Sequence, residues 1–186
     1  ASTSITNVFV LMLENHSFDH IFAMSGIPGI RAATVADSNT YGGKSYFVKD
    51  GAPPSMTTDP GHEFEDVVEQ LYANNSGFAS NYATSLSEDT GTPSPDHIGD
   101  IMACFHTETQ LPVIYQLARE FAICDSWFSS MPGPTWPNRF FVHGASSACL
   151  DRSPKPLEEV EWESHLHGFR FQNGSIFQAL TNAGHT

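Results

Sequence analysis

The amino-terminal part of the chain contains an almost continuous apolar run, ITNVFVLML at residues 5–13, which is rich in β-branched side chains. A strand that is buried on both faces of a parallel sheet has this pattern, because neither face meets water. The run therefore predicts a buried strand. A shorter run, FAIC at residues 121–124, predicts a second one.

Four stretches are predicted as helices, because apolar side chains recur at helical spacing or because residues typical of helix ends flank them. They are residues 62–74, residues 111–119, residues 135–144 and residues 175–182, the last with Ser175 as its cap and Gly184 at its end. Strands separated by helices predict an α/β fold, in which ligands bind at the carboxyl ends of the strands.

Stretches rich in Gly, Pro, Ser, Thr and Asn lie between these elements. Residues 26–60 are predicted as loops with one hairpin near Tyr46. Residues 74–95 are predicted as a loop that forms a lid or a rim rather than a linker between domains. With 186 residues, of which 40% are hydrophobic, the chain has enough material for one domain with a core,.

The charge balance narrows the choice of function. Asp and Glu number 21 against 8 Lys and Arg, so the formal net charge is −13. A chain this acidic has no electrostatic basis for gripping nucleic acid, and an anionic membrane surface repels it. An acidic protein that processes phosphate needs a local source of positive charge, and a bound metal ion supplies one.

The segment ENHSFDH, residues 14–20, follows directly after the predicted first strand. Glu14 and Asn15 offer a carboxylate and an amide oxygen at a rigid strand end, which are good ligands for a hard divalent cation. The alternative is a helix cap, in which Asn15 or Ser17 starts a helix that turns Phe18 towards the core. The residues alone leave both interpretations open.

The segment SMPGPTWPNR, residues 130–139, carries three prolines and a glycine that fix the approach to a helix. Thr135 stands at the helix start, where unpaired backbone N–H groups favour a phosphate. Its hydroxyl is a candidate nucleophile, and Asn138, one turn later, is a candidate hydrogen-bond donor to a phosphoryl oxygen. The alternative is that Thr135 only caps the helix, with Pro137 in the first turn.

Three segments together resemble the phosphoesterase family that includes bacterial non-haemolytic phospholipases C, acid phosphatases and plant nonspecific phospholipases C. They are VFVLMLENHSFDH at residues 8–20, DPGHE at residues 59–63 and CDSWFSSMPGPTWPNR at residues 124–139. The resemblance runs through most of the chain. It implies an α/β fold of the alkaline phosphatase-like sandwich type, of which this chain is the amino-terminal portion.

The resemblance also implies the site residues and the chemistry. Glu14, Asn15 and Thr135 correspond to metal ligands, Thr135 is also the nucleophile, and Asn138 and His62 correspond to phosphate contacts. The implied reaction is metal-dependent hydrolysis of phosphoric esters through a phosphothreonine intermediate. The metal is a divalent ion, with zinc, calcium and magnesium as alternatives. The implied substrate is a phosphate ester or a phospholipid head group.

One part of the family pattern is missing. The family completes its metal site with an acidic pair followed by His-Gly-Gly on a later strand, and nothing in residues 140–186 supplies that pattern. We therefore expect residues 1–186 to form a single incomplete domain, with the remainder in a longer polypeptide or a second chain. The alternative is a catalytically inactive fragment, or a binding or storage module that retains half of the fold.

Two further expectations concern the cellular setting. Cys104, Cys124 and Cys149 show no zinc-binding spacing, and we expect buried free thiols, with one disulfide and one free thiol as the alternative,. No charged segment followed by an apolar stretch opens the sequence, so any export signal lies outside it. We expect a secreted or periplasmic protein.

Overall fold

The computed structural model describes residues 5–14, 16–86, 91–163 and 171–185. Within these residues the helices are α1 (Phe18–Phe22), α2 (Phe64–Asn75), α3 (Phe78–Thr84), α4 (Thr107–Gln110), α5 (Pro112–Glu120), α6 (Thr135–Gly144), α7 (Pro156–Glu163) and α8 (Ile176–Asn182), with a 3-10 helix at Ile98–Met102. The strands are β1 (Ser38–Tyr41), β2 (Lys44–Phe47), β3 (Lys49–Asp50) and β4 (Ala103–Cys104). The structure is thus mixed α/β, as predicted.

Strands β1 and β2 form an antiparallel hairpin, with Ser38 opposite Phe47 and Tyr41 opposite Lys44. The turn consists of Gly42 and Gly43, whose φ angles are 60° and 77°. Two successive left-handed residues make the tight turn whose twist matches a hairpin, and glycine adopts them without steric cost. The predicted hairpin is therefore confirmed.

Strands β3 and β4 pair in parallel, which joins residues 49–50 to residues 103–104. Side chains on either side of this short ladder form the core. One cluster consists of Val48, Met102 and Cys104, and the other consists of Ala52, Ala103 and Phe105. Alternate residues of a strand face opposite sides. Strand β4 therefore contributes to both clusters, with Cys104 in the first and Ala103 in the second.

Helix α2 begins with a capping box, in which Glu63 and Asp66 satisfy each other's backbone N–H groups,. The helix loses regular geometry at Tyr72, and Ala73 and Asn74 are left-handed. The chain then turns into α3. The predicted helix at residues 62–74 is confirmed, with its regular part ending before the predicted end.

Helix α3 lies inside the stretch 74–95, so the prediction that this whole stretch is a loop was wrong. The side chain of Asn81 is only 1% exposed. Its amide accepts a hydrogen bond from Gln70 at 2.8 Å and donates to Asp66 at 2.9 Å and Glu69 at 3.0 Å. A buried polar side chain is tolerated when its hydrogen bonds are satisfied, which is why polar composition misled the prediction here.

Residues 5–13 do not form a strand in this structure, so the prediction of a buried strand is contradicted. The segment is irregular, and Phe9 is 93% exposed. A strand needs a neighbouring backbone to pair its N–H and C=O groups. The described parts of the chain provide none for this segment, although its sequence has the composition of a strand.

Residues 121–124 are likewise irregular rather than a strand, and Phe121 is 71% exposed. The expectation of buried thiols holds for Cys104, whereas Cys124 and Cys149 are exposed. Burial and the nearby carboxylates of Asp19 and Asp50 raise the pKa of the Cys104 thiol to about 11.

The predicted helices in the second half of the chain are confirmed. Helix α6 has the predicted bounds, and α5 begins one residue later than predicted, at Pro112. In α8 the hydroxyl of Ser175 accepts a hydrogen bond from the Gln178 N–H at 3.2 Å, which is an N-cap,. None of the helices in the described ranges is long and apolar enough to cross a membrane.

Candidate functional site

Thr135 is the first residue of α6, and the preceding loop reaches it through Gly133 and Pro134. The loop packs at ordinary van der Waals distances against its neighbours. A methyl group on Gly133 would lie 3.9 Å from the Cα of Phe64 and 4.0 Å from the carbonyl oxygen of Asp151. The structure therefore places the loop against the start of α2, close to the predicted DPGHE segment.

The side chain of Asn138 holds this loop together. Its amide oxygen accepts a hydrogen bond from the Met131 N–H at 3.2 Å. Its amide nitrogen donates to the carbonyl oxygens of Met131 and Gly133, each at 3.2 Å, and of Pro134 at 3.1 Å. Asn138 thus fixes the backbone immediately before Thr135. Its predicted contact with phosphate is a separate matter and stays a prediction.

The Thr135 hydroxyl does not cap α6. Pro134 occupies the N-cap position, and Thr135 is partly buried one position further on. Within the described residues the hydroxyl has no hydrogen-bond partner. Because the first N–H groups of a helix have no partner in the helix itself, this hydroxyl lies beside groups that favour an anion.

Aromatic side chains hold the opposite side of α6. The ring of Trp136 lies 5.8 Å from that of Phe140 and 5.9 Å from that of Trp162. Phe140 is buried and also contacts Phe171, at 5.8 Å between ring centres. A methyl group on Gly144 would come within 2.2 Å of the Phe171 ring. These contacts anchor the helix that carries Thr135.

Glu14 lies against α6, where it pairs with Arg139. The guanidinium Nε donates to Oε2 of Glu14 at 3.2 Å, and Nη2 donates to Oε1 at 2.5 Å. Arg139 follows Thr135 by four residues, so both lie on the same side of the helix. The structure therefore brings the two predicted segments together, with Glu14 beside the helix that begins at Thr135. Asn15, the other predicted ligand in the first segment, lies outside the described residues.

Ser17 caps α1, since its hydroxyl accepts a hydrogen bond from the His20 N–H at 3.1 Å. The helix-cap alternative is thus correct for Ser17. The alternative and the metal hypothesis are compatible, because Glu14 lies outside this cap. The carbonyl oxygen of His20 accepts a hydrogen bond from the Phe105 N–H at 2.8 Å, which fastens α1 to the end of β4.

Two histidines of the same segment form a cluster with Phe105. Nδ1 of His16 lies 2.9 Å from Nδ1 of His20, and the His20 ring stacks on Phe105 with 4.5 Å between ring centres. Burial, and to a lesser extent the charge of His16, lowers the pKa of His20 from 6.5 to about 4. His20 is therefore neutral at ordinary pH.

His62 is exposed and lies near Asp59 and Pro60. Its Nδ1 is 3.1 Å from the carbonyl oxygen of Pro60 and 3.6 Å from Oδ2 of Asp59. Two residues later, Phe64 packs beside the loop that leads to Thr135. His62 thus lies on the segment next to the candidate site, and its predicted role as a phosphate contact stays a prediction.

The oxygen donors of Glu14 and Thr135 are of the type that a hard divalent cation binds, but they are too few to complete its coordination. Glu14 and Thr135 offer a carboxylate and a hydroxyl oxygen, which such ions prefer. In the described ranges, however, no group of three or more His, Cys, Asp or Glu side chains converges on a metal position. A hard cation usually takes about six ligands. Glu14 and Thr135 would therefore meet only part of the ligand requirement of such an ion.

Arg139 and two aspartates have structural roles that the sequence pattern does not assign. The Asp19 carboxylate accepts a hydrogen bond from the Ala33 N–H at 2.9 Å, and Asp125 accepts one from the Arg31 N–H at 2.7 Å. The bond from Arg31 helps to lower the pKa of Asp125. Both aspartates thus fix the excursion after α1. Arg139 pairs with Glu14. The sequence signal that could have pointed to Arg139 is the small number of Lys and Arg residues, which is 8 in the whole chain.

Comparison with known proteins supports a relationship over nearly the whole chain. The profile of the phosphoesterase family matches residues 5–186. Non-specific phospholipase C1 of Arabidopsis thaliana is 35% identical over 181 residues, covering 93% of this chain and 34% of that protein. Non-specific phospholipase C6 of the same plant is 36% identical over 150 residues, covering 77% of this chain and 28% of that protein.

A bacterial protein is also similar. Phospholipase C B of Mycobacterium tuberculosis strain H37Rv is 24% identical over 188 residues, which cover 86% of this chain and 35% of that protein. The chain thus spans about a third of the length of the curated relatives it matches.

Proposed function

This chain belongs to the phosphoesterase family, and on that basis we propose that it is part of an enzyme that hydrolyses phosphoric esters, of the phospholipase C or acid phosphatase type. Its similarity to plant and mycobacterial phospholipases C supports this proposal. The substrate is a phosphate monoester or the phosphorylated head group of a phospholipid. The proposed fold of the whole domain is the alkaline phosphatase-like sandwich.

The observation that carries the proposal is the position of Thr135. Its hydroxyl is unpaired among the described residues, at the start of a 10-residue helix and behind a loop fixed by Asn138. In the proposed reaction the Thr135 oxygen attacks phosphorus and the bond to the departing alcohol breaks. The alcohol takes up a proton. Water then cleaves the phosphothreonine, which releases phosphate or the phosphorylated head group.

We propose that Glu14, Asn15 and Thr135 bind a divalent metal ion, with zinc, calcium and magnesium as alternatives. Such an ion lowers the pKa of a bound hydroxyl and balances the charge of the phosphoryl group. Asn138 and His62 are the proposed phosphate contacts. Because the Asn138 amide also serves the loop, its contact with phosphate requires a shared hydrogen bond or a shift of the side chain.

We further propose that activity requires polypeptide beyond these residues, in the same chain or in a second one. The short donor set supports this, as does the length of the relatives, of which this chain covers about a third. The exposed apolar segment 5–13 also supports it, because a neighbouring strand from the additional polypeptide would bury it,. A secreted or periplasmic location is part of the same proposal.

Hydrolysis of p-nitrophenyl phosphate by the complete protein tests the proposal. We expect turnover that a chelator abolishes and that a divalent ion restores. The Thr135→Ala variant should lose turnover, whereas Thr135→Ser, which keeps a hydroxyl, should retain part of it. A fully active Thr135→Ala variant would show that Thr135 is not the nucleophile. An inactive complete protein that still folds would favour the alternative of a binding or storage module.

A further inference from the structure

The ion pair between Glu14 and Arg139 joins two segments that are 125 positions apart in sequence. Hydrogen bonds involve both carboxylate oxygens and two guanidinium nitrogens. Such a bidentate pair fixes orientation as well as distance, because the guanidinium group is planar and its donors are parallel. Glu14 therefore has a defined orientation relative to α6.

The pair also fixes an otherwise loosely held segment. Residues 5–14 are irregular and exposed, and among the described residues their hydrogen bonds to the rest of the protein are those of Glu14 with Arg139. Arg139 itself is well positioned, because it lies on a helix that aromatic contacts of Trp136 and Phe140 hold in place. The position of the Glu14 carboxylate is thus set by α6, the helix that presents Thr135.

A carboxylate that is paired in this way still has room for a cation. Each carboxylate oxygen has two lone pairs, and the guanidinium group uses one on each. A metal ion can therefore bind Glu14 while Arg139 holds it. Partners that orient a ligating carboxylate in this way typically change metal affinity or activity by about 10–100-fold when they are removed.

We propose that Arg139 is a positioning residue for the reaction, which acts by orienting Glu14 as a metal ligand beside the helix that begins at Thr135. The inference rests on the proposed metal-dependent function. The role assigned to Arg139, orientation of the Glu14 carboxylate, does not follow from its charge alone or from its position in the helix. The side chains of Arg139 and Glu14 are 39% and 38% exposed, so solvent screens the pair and it contributes little to folding,. Substitutions at Arg139 should therefore leave the protein folded.

The test is Mn²⁺ binding to the complete protein, measured from the electron paramagnetic resonance signal of free Mn²⁺. We expect Arg139→Gln to weaken binding about 10–100-fold and Arg139→Lys to weaken it less. The matched control is Arg119→Gln, which also removes one positive charge but lies on α5, over the ring of Tyr115. It should bind Mn²⁺ as the unchanged protein does.

A double-mutant cycle separates orientation from a general structural effect. In a Glu14→Gln background, Arg139→Gln should cause no further loss of Mn²⁺ affinity, because the group that it orients is already changed. Equal losses in both backgrounds would overturn the proposal. An Arg139→Gln variant that binds Mn²⁺ as tightly as Arg119→Gln would also overturn it. Tighter binding by Arg139→Gln would overturn it too, because it would show that the guanidinium competes with the cation.

The same measurement distinguishes this proposal from the proposed function. If the unchanged protein binds Mn²⁺ and turns over substrate while Arg139→Gln equals the control, only the role of Arg139 is refuted. If the unchanged protein binds neither Mn²⁺ nor zinc, calcium or magnesium, the metal-dependent function is refuted and the role of Arg139 with it.

Discussion

Arg139 donates hydrogen bonds to both carboxylate oxygens of Glu14, across 125 positions of the sequence. This relationship links two segments that the sequence analysis selects independently. Glu14 ends the apolar amino-terminal segment, whereas Arg139 lies one helical turn after Thr135. The ion pair thus brings Glu14 to the helix that begins at Thr135. This contact supports the proposal that both segments belong to one phosphoesterase centre.

Asn138 should contribute to stability through the loop before Thr135. Replacement by Ala leaves the Met131 N–H and the carbonyl oxygens that Asn138 binds without their partner. Because these groups are partly buried, we expect a loss of about 1–3 kcal/mol in the free energy of unfolding. Denaturant titration measures it.

Asn138→Asp is the matched control, because it keeps the acceptor for the Met131 N–H but loses the amide donors. We expect it to be less stable than the unchanged protein, because a carboxylate oxygen then faces the carbonyl oxygens of Met131, Gly133 and Pro134. If Asn138→Ala were as stable as the unchanged protein, the loop would not depend on this side chain.

The low pKa of His20 predicts a pH-dependent contribution to stability. The folded protein lowers this pKa from 6.5 to about 4, so between these values the unfolded state binds more protons than the folded state,. The contribution of His20 is therefore fully present above pH 6.5 and is lost as the pH falls towards 4. A side chain at this position that does not titrate cannot lose stability in this way.

Thermal unfolding of His20→Gln between pH 4 and pH 7 checks the prediction. On acidification the variant should lose less stability than the unchanged protein. His185→Gln, in which an exposed histidine near the end of α8 is replaced, should behave like the unchanged protein. Parallel curves for His20→Gln and the unchanged protein would contradict the assignment.

The 186-residue chain alone should not act as an efficient phosphoesterase. In the described part of the chain, no group of three or more ligating side chains converges on a metal. Glu14 and Thr135 leave most positions of a hard cation to water, which predicts weak affinity. Equilibrium dialysis with Mn²⁺ and a p-nitrophenyl phosphate assay on the isolated chain measure both properties. Tight metal binding and ordinary enzyme rates in the isolated chain would contradict the expectation of an incomplete site.

The sequence predicted the elements whose causes are local. Helix α6 has a proline-rich entry and apolar side chains at helical spacing, and α8 has a Ser175 cap, so neighbouring residues determine both. The glycine pair of the hairpin acts in the same way. Helix α3 was not predicted, because its sequence is polar. Its buried Asn81 donates hydrogen bonds to Asp66 and Glu69, which are distant in sequence, and these bonds cannot be read from the local pattern.

The elements that depend on distant partners could not be predicted in this way. Residues 5–13 have the composition of a buried strand, but a strand forms only beside another strand. The ion pair of Glu14 with Arg139 is also invisible in the sequence, because any of several acidic side chains could pair with this arginine. Family resemblance supplied the chemical roles, and the fold supplied the proximity of Glu14 to α6.

The most direct test of the central claim is a search for phosphothreonine at position 135. The complete protein is mixed with p-nitrophenyl phosphate, quenched rapidly in acid and digested, and the peptide that contains Thr135 is analysed by mass spectrometry. The account predicts a phosphoryl group on Thr135 during turnover, and its absence in Thr135→Ala, which should be inactive. Turnover without phosphorylation of Thr135, persisting in Thr135→Ala, would contradict the account.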